Sequence, residues 1–225
     1  MPGRMSGTQH ERGVSKAAGA SGDRPQPHGL PEPPDQPEPP PAEPPPSEID
    51  EPVISVLVSA PVWREALDDA PALCRRAGRA ALGALGAPGA PVELSITLSD
   101  DASLRSLNAR YRERDAPTNV LSFAFHDLTP DTPLPVAPPP GERLALGDVI
   151  IAFETVRREA DREAKPLADH LRHLVVHGVL HILGEDHEED GQARRMEAKE
   201  RRILAALGVP DPYAPSPDDA EVAPI

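Results

Sequence analysis

The stretch "HGVLHILGEDH", residues 177–187, places three histidines in eleven positions. His177 and His181 are four apart, so on a helix they lie on one face, one turn above the other. Both imidazoles can then point at one ion. His173 also precedes His177 by four, but it stands eight residues from His181, roughly 12 Å of helical rise, and is out of easy reach of the same ion. A third ligand has to come from a chain that turns back. Gly184 supplies the turn, because glycine takes the left-handed conformation that ends helices, and His187 follows it. Three neutral imidazoles with one open position is a catalytic zinc arrangement, whereas a structural site is closed by a fourth protein ligand. The chain has one cysteine, Cys74, so no thiolate-rich alternative exists.

The spacing of His177, His181, Gly184 and His187 matches that of the metzincin peptidases, in which a glutamate directly after the first histidine acts as general base. Here that position is Gly178, which cannot accept a proton, so a peptidase reading becomes a minor one. Glu185 and Asp186 are base candidates by sequence proximity. Asp148 is a candidate to hydrogen-bond the outer N–H of a ligand histidine, with a strand-end cap as the alternative. His170 and His173 read as structural or supporting residues. His126 follows a strand, and nothing in the sequence fixes it at the site.

The elements that must carry these residues are legible. "VISVLVSA" from Val53, "VELSITLSD" from Val92, "NVLSFAF" from Asn119 and "ALGDVIIAF" from Ala145 read as strands. A helical stretch interrupted near Pro71 follows the first strand. A helix capped by Asp100 or Asp101 follows the second. Three more helices are expected after the fourth strand: 154–164, 166–183 and about 190–207. The order implies an α/β (α+β) fold: a mixed four-stranded sheet covered by about five helices, with a zincin-like metal helix. The early βαβ unit argues for parallel pairing and the last two strands for an antiparallel pair.

Composition sets the outer limits. Of the 31 prolines, many crowd into "RPQPHGLPEPPDQPEPPPAEPPPSEIDEP", a stretch with too little apolar surface to offset its ordering entropy. Residues 1–50 are therefore expected to be a disordered Pro-rich arm, 51–213 a single domain and 214–225 a flexible tail. The formal net charge is −14. Residues 51–207 carry 19 basic against 25 acidic side chains, which argues against a general nucleic-acid coat and leaves room for a local basic patch. One cysteine, no apolar leader and no apolar run of spanning length lead to the expectation of a soluble cytoplasmic protein.

Four segments carry a resemblance to a known family: "HGVLHILGEDH", "LNARYRERDAPTNVLSFAF" (107–125), "LGDVIIA" (146–152) and "ALGVPDPY" (206–213). In this order they resemble the motifs of the YbeY family, bacterial endoribonucleases of ribosomal RNA maturation. The resemblance spans about Val53 to Tyr213. Glu185 departs from it, standing where the family commonly has tyrosine.

The resemblance implies a single-strand-specific, zinc-dependent endoribonuclease acting on the 3′ end of precursor 16S ribosomal RNA and in 70S ribosome quality control. It implies one zinc ion per chain at His177, His181 and His187, and a functional arginine at Arg112. Its partners would be ribosomal RNA and ribosome-associated proteins, with no DNA and no membrane. A guanidinium at Arg112 can clamp a phosphate through two donors, and Arg105, Arg110 and Arg114 are near it in sequence. Thr118, Asn119 and Ser122 are polar positions that can orient RNA or simply line a core strand. Two other readings stay open: a ribosome-assembly RNA- or protein-binding factor with a mainly structural zinc, and a zinc peptidase.

Overall fold

The computed structural model describes residues 51–84, 91–130, 139 and 142–214. The expected arm over 1–50 and the tail beyond Ala214 lie outside the described residues, as does most of the Pro-rich connection 129–140. The chain runs β1 (Val53–Val58), α1 (Val62–Ala66), α2 (Ala70–Ala84), β2 (Val92–Ser99), α3 (Asp101–Arg112), β3 (Val120–Ala124), β4 (Leu144–Ala152), α4 (Phe153–Arg162), α5 (Leu167–Ile182) and α6 (Asp190–Ala206).

The sheet is mixed, in the order β1-β2-β4-β3, with β1, β2 and β4 parallel. β3 lies antiparallel at the edge, pairing Val120 with Ile151 and Ala124 with Gly147. This is the expected architecture, with six helices rather than five. The extra one arises because the break in the first helical stretch falls at residues 67–69, before Pro71. The proline sits in the first turn of α2, where its missing N–H costs nothing.

Strand alternation sets the layers. Val92, Leu94, Ile96 and Leu98 of β2 are buried and form one core with α2 and α5 through Ala77, Leu82, Leu171, Val175 and Val179. On the opposite face α3 covers β3 and β4 through Leu104, Leu107, Leu121 and Ile150. Helix cover on that face does not reach β1, whose Leu57 is 62% exposed.

Three local features place the site. The Asp100 carboxylate caps α3 by accepting the Ser103 N–H at 2.8 Å. Asp101 ties α3 to α4 by accepting from Thr155 Oγ1 at 2.7 Å, and at the far end of α3 the Tyr111 ring meets Phe123 of β3 edge-on at 5.2 Å. Gly147 has φ +152 at the irregularity where β4 pairs with β2, and a Cβ there would overlap the Phe123 carbonyl. Only glycine lets β3 close against β4 at this point. Among the described residues no helix is long and apolar enough to cross a membrane.

Candidate functional site

α5 is the spine of the site. Gly178, on its buried side, lies against β3 and β4: an added Cβ would stand 2.8 Å from Val149 Cγ1 and 3.0 Å from Ser122 Oγ. The position a peptidase would use for its base is thus turned into the packing surface, where no carboxylate fits. The neighbouring faces leave His177 and His181 half-buried at the rim. Helix α5 ends with the Leu183 N–H donating to Val179 O at 3.1 Å. Gly184 follows at φ +85, pressed so closely on Leu128 and Thr129 that a side chain would overlap the Leu128 carbonyl. The Glu185 N–H donates back to Leu180 O at 3.0 Å, and the chain swings His187 toward the helix.

The three histidines converge: one ring nitrogen from each of His177, His181 and His187 lies within 4.8 Å of the others. His177 Nε2 and His181 Nε2 are 3.1 Å apart, close to the roughly 3.3 Å between two nitrogens on one tetrahedral zinc. The His187 ring stacks on His177 with centroids 5.5 Å apart. Burial, followed by the neighbouring His177 and His187, lowers His181 from 6.5 to about 4. Its ring is therefore neutral near pH 7 and has a lone pair to give. The donor set, three neutral imidazoles without a thiolate, fits zinc and also nickel or copper. Cys74 is buried in the core away from them, and burial pushes its thiol up to about 12.

His177 Nδ1 lies 2.8 Å from Glu200 Oε1. An ionised carboxylate only accepts, so Nδ1 carries the proton and Nε2 is left bare toward the cluster. Burial raises the Glu200 carboxyl, but hydrogen bonds from His173, His177 and Tyr213 outweigh it and hold the group at about 2. Sequence reasoning missed Glu200 and offered Asp148 for this role. Asp148 lies within β4, paired with Ser95 and Phe123, and makes no bond to a histidine of the site. A signal for Glu200 was present: it interrupts the buried stripe Met196, Ile203, Leu204 of α6, a position where an amphipathic helix should be apolar. His173 Nε2 also reaches Glu200, at 3.3 Å, and His170 Nε2 lies 3.0 Å from Glu159 Oε2. These two rings support the site and do not join the cluster. His126 is occupied elsewhere, with Nε2 2.9 Å from Ala145 O.

Glu185 is corrected as a base candidate. It is 2% exposed and ion-paired to Arg195 at 3.2 Å and to Lys199, facing α6 and away from the histidines. Glu185 is thus matched by two cations of α6. Asp186, the other candidate, does line the cleft and caps the His187 amide at 2.7 Å.

The histidines open into a cleft of about 670 Å³ that is also lined by Arg112 at the end of α3, by Arg114, Thr118 and Asn119 of the α3–β3 connection, and by Ser122 of β3. Arg112 and Arg114 are exposed. Glu113, between them, takes the left-handed conformation at φ 57 and ends α3. The other two arginines are engaged: Arg105 pairs with Asp115 at 2.6 Å, and Arg110 lies over the Tyr111 ring at 5.3 Å. Asn119 is held by donating to Glu159 at 3.0 Å and accepting from the Val120 N–H at 2.7 Å. The cleft thus brings together three imidazoles that can hold a cation and two guanidiniums that can grip a phosphodiester.

Comparison with known proteins identifies relatives of the chain. The profile of the family described as Endoribonuclease YbeY matches residues 69–208. Proteins named Endoribonuclease YbeY are similar over most of their length. That of Paramagnetospirillum magneticum is 54% identical over 71% of this chain and 94% of its own. That of Rhodopseudomonas palustris is 51% identical over 72% and 91%, and that of Nitrobacter winogradskyi 52% identical over 73% and 83%.

Proposed function

The chain belongs to the Endoribonuclease YbeY family of RNA-hydrolysing nucleases, and we propose that it cuts single-stranded RNA with one zinc ion held by His177, His181 and His187. The observation that carries the reading is the convergence of three imidazole nitrogens within 4.8 Å in a cleft that Arg112 and Arg114 also line.

When bound, zinc would supply a Lewis acid and lower the pKa of a coordinated water. The protein's own residues do the rest. Glu200 holds His177 in the tautomer that frees Nε2. Arg112, at the end of α3, offers a planar pair of donors to a phosphate and stabilises the charge that develops on its oxygens. Arg114, beside it, extends the positive wall along the backbone of the RNA. Of the two carboxylates considered as base, Asp186 faces the cleft and takes that role. Single strands suit such a cleft, because an unpaired backbone can bend to bring one phosphate to the histidines and the arginines. The family resemblance supports the 3′ end of precursor 16S ribosomal RNA as substrate, and a role in 70S ribosome quality control in the cytoplasm. It also supports 51–213 as the acting domain.

Matched single-stranded and duplex RNAs, incubated with the purified full chain, test this. Cleavage should favour the single strand, stop with chelator and return with zinc, and Arg112→Glu should abolish it with the fold retained. A folded, metal-free His177→Ala variant that cleaves at the wild-type rate would refute the reading.

A further inference from the structure

We propose that Glu200, itself fixed by the hydroxyl of Tyr213, is the positioning carboxylate for His177, so that the turn at 209–213 is part of the metal site. The inference rests on the reading above, in which His177 is a ligand.

Glu200 has no solvent exposure. A lone carboxylate in an apolar stripe is costly unless its oxygens are satisfied, and here both are. Oε1 accepts from His177 Nδ1 at 2.8 Å. Oε2 accepts from His173 Nε2 at 3.3 Å and from the Tyr213 hydroxyl. With both oxygens engaged from different directions, the carboxylate plane cannot turn, and the His177 ring cannot turn without breaking its bond to it.

Tyr213 is itself held on four sides. Its N–H donates to Asp211 at 2.9 Å, and the Arg201 guanidinium lies over its ring at 4.8 Å. The His173 ring meets it edge-on at 5.6 Å. The preceding Pro212 carbonyl accepts from Lys165 Nζ at 2.7 Å. A chain of contacts therefore runs from Lys165 and Arg201, through Tyr213 and Glu200, to Nδ1 of His177, across the ring from its ligand nitrogen Nε2. Carboxylates in this position set the tautomer of a metal-binding histidine and raise its basicity. A buried ion-pair element serving stability alone would be neutral to metal affinity, which separates the two roles.

The test uses the full-length chain and zinc alone, titrated against a chromogenic chelator. Glu200→Gln keeps the shape and removes the charge, and it should weaken zinc binding by roughly ten- to a hundredfold. Tyr213→Phe removes one oxygen at a partly exposed site and should weaken it severalfold, so the proposal stays testable if the glutamine variant fails to fold. Nitrogen-15 spectra of the metal-free chains should find the His177 proton on Nδ1 in wild type and shared between tautomers in Glu200→Gln. Wild-type zinc affinity and tautomer in both variants would overturn the proposal and leave Glu200 a stability element. Wild-type affinity in Tyr213→Phe alone would remove the tyrosine from it. A wild-type chain that fails to bind zinc would instead defeat the assignment of the ligands.

Discussion

The two halves of α5 each carry two histidines, and the structure uses them in different ways. In the N-terminal half, His170 and His173 turn their Nε2 atoms to carboxylates from neighbouring helices, Glu159 at 3.0 Å and Glu200 at 3.3 Å. In the C-terminal half, Nε2 of His177 faces Nε2 of His181 at 3.1 Å, and His187 closes over both. Residue type, helix and near-identical spacing are shared. What differs is whether the ring nitrogen meets a carboxylate or another ring nitrogen. The proposed function places its cation where ring nitrogens face one another.

The largest effect expected from breaking this contrast is on catalysis. His181→Ala should lower RNA cleavage on the order of a thousandfold with the circular dichroism of the wild type, whereas His170→Ala should leave the rate within a fewfold. The reverse pattern would place the reacting centre at the wrong end of α5. Next comes stability. His170→Gln removes one ring bond from Glu159 and should destabilise the fold by about 1–3 kcal/mol, measured by urea unfolding, while zinc stoichiometry is retained. Gly178→Ala places a methyl against Val149 and Ser122 and should cost about 1–3 kcal/mol; an unchanged unfolding midpoint would contradict the packing described for α5.

The smallest effect is in pH. Folding lowers His181 from 6.5 to about 4, so the unfolded chain binds the proton more readily. Its contribution to the stability of the metal-free protein is full above pH 6.5 and lost as the pH falls toward 4. The melting temperature of the metal-free chain should decline over that window, and His181→Asn should shallow the decline by a few degrees.

The fold was legible because its signals are local. Alternation in "VELSITLS" and β-branching in "VISVLV" mark strands, Asp100 marks a helix start, and Gly184 and Gly208 mark ends. The convergence of His177, His181 and His187 was legible for the same reason, since it spans one helix, one glycine and one turn. What sequence did not deliver depends on contacts between distant segments. Glu200 meets His177 from 23 residues away, and the choice between Glu200 and Asp148 is made by how α6 packs on α5. Glu185 was a base candidate by proximity alone, and adjacency to the histidines says nothing about which way a side chain faces after a helix ends. Here it turns into α6, where Arg195 and Lys199 meet it. The sixth helix was missed because Pro71 marks a helix start as readily as a break.

The most direct measurement is a zinc titration of the metal-free full chain, read by chelator competition beside the same titration of His187→Ala. One equivalent should bind tightly to the wild type, and removal of the imidazole beyond the glycine should weaken it by orders of magnitude. Equal affinity in the two chains, or no saturable binding in either, would contradict a cation held jointly by the helix and the turn that follows it.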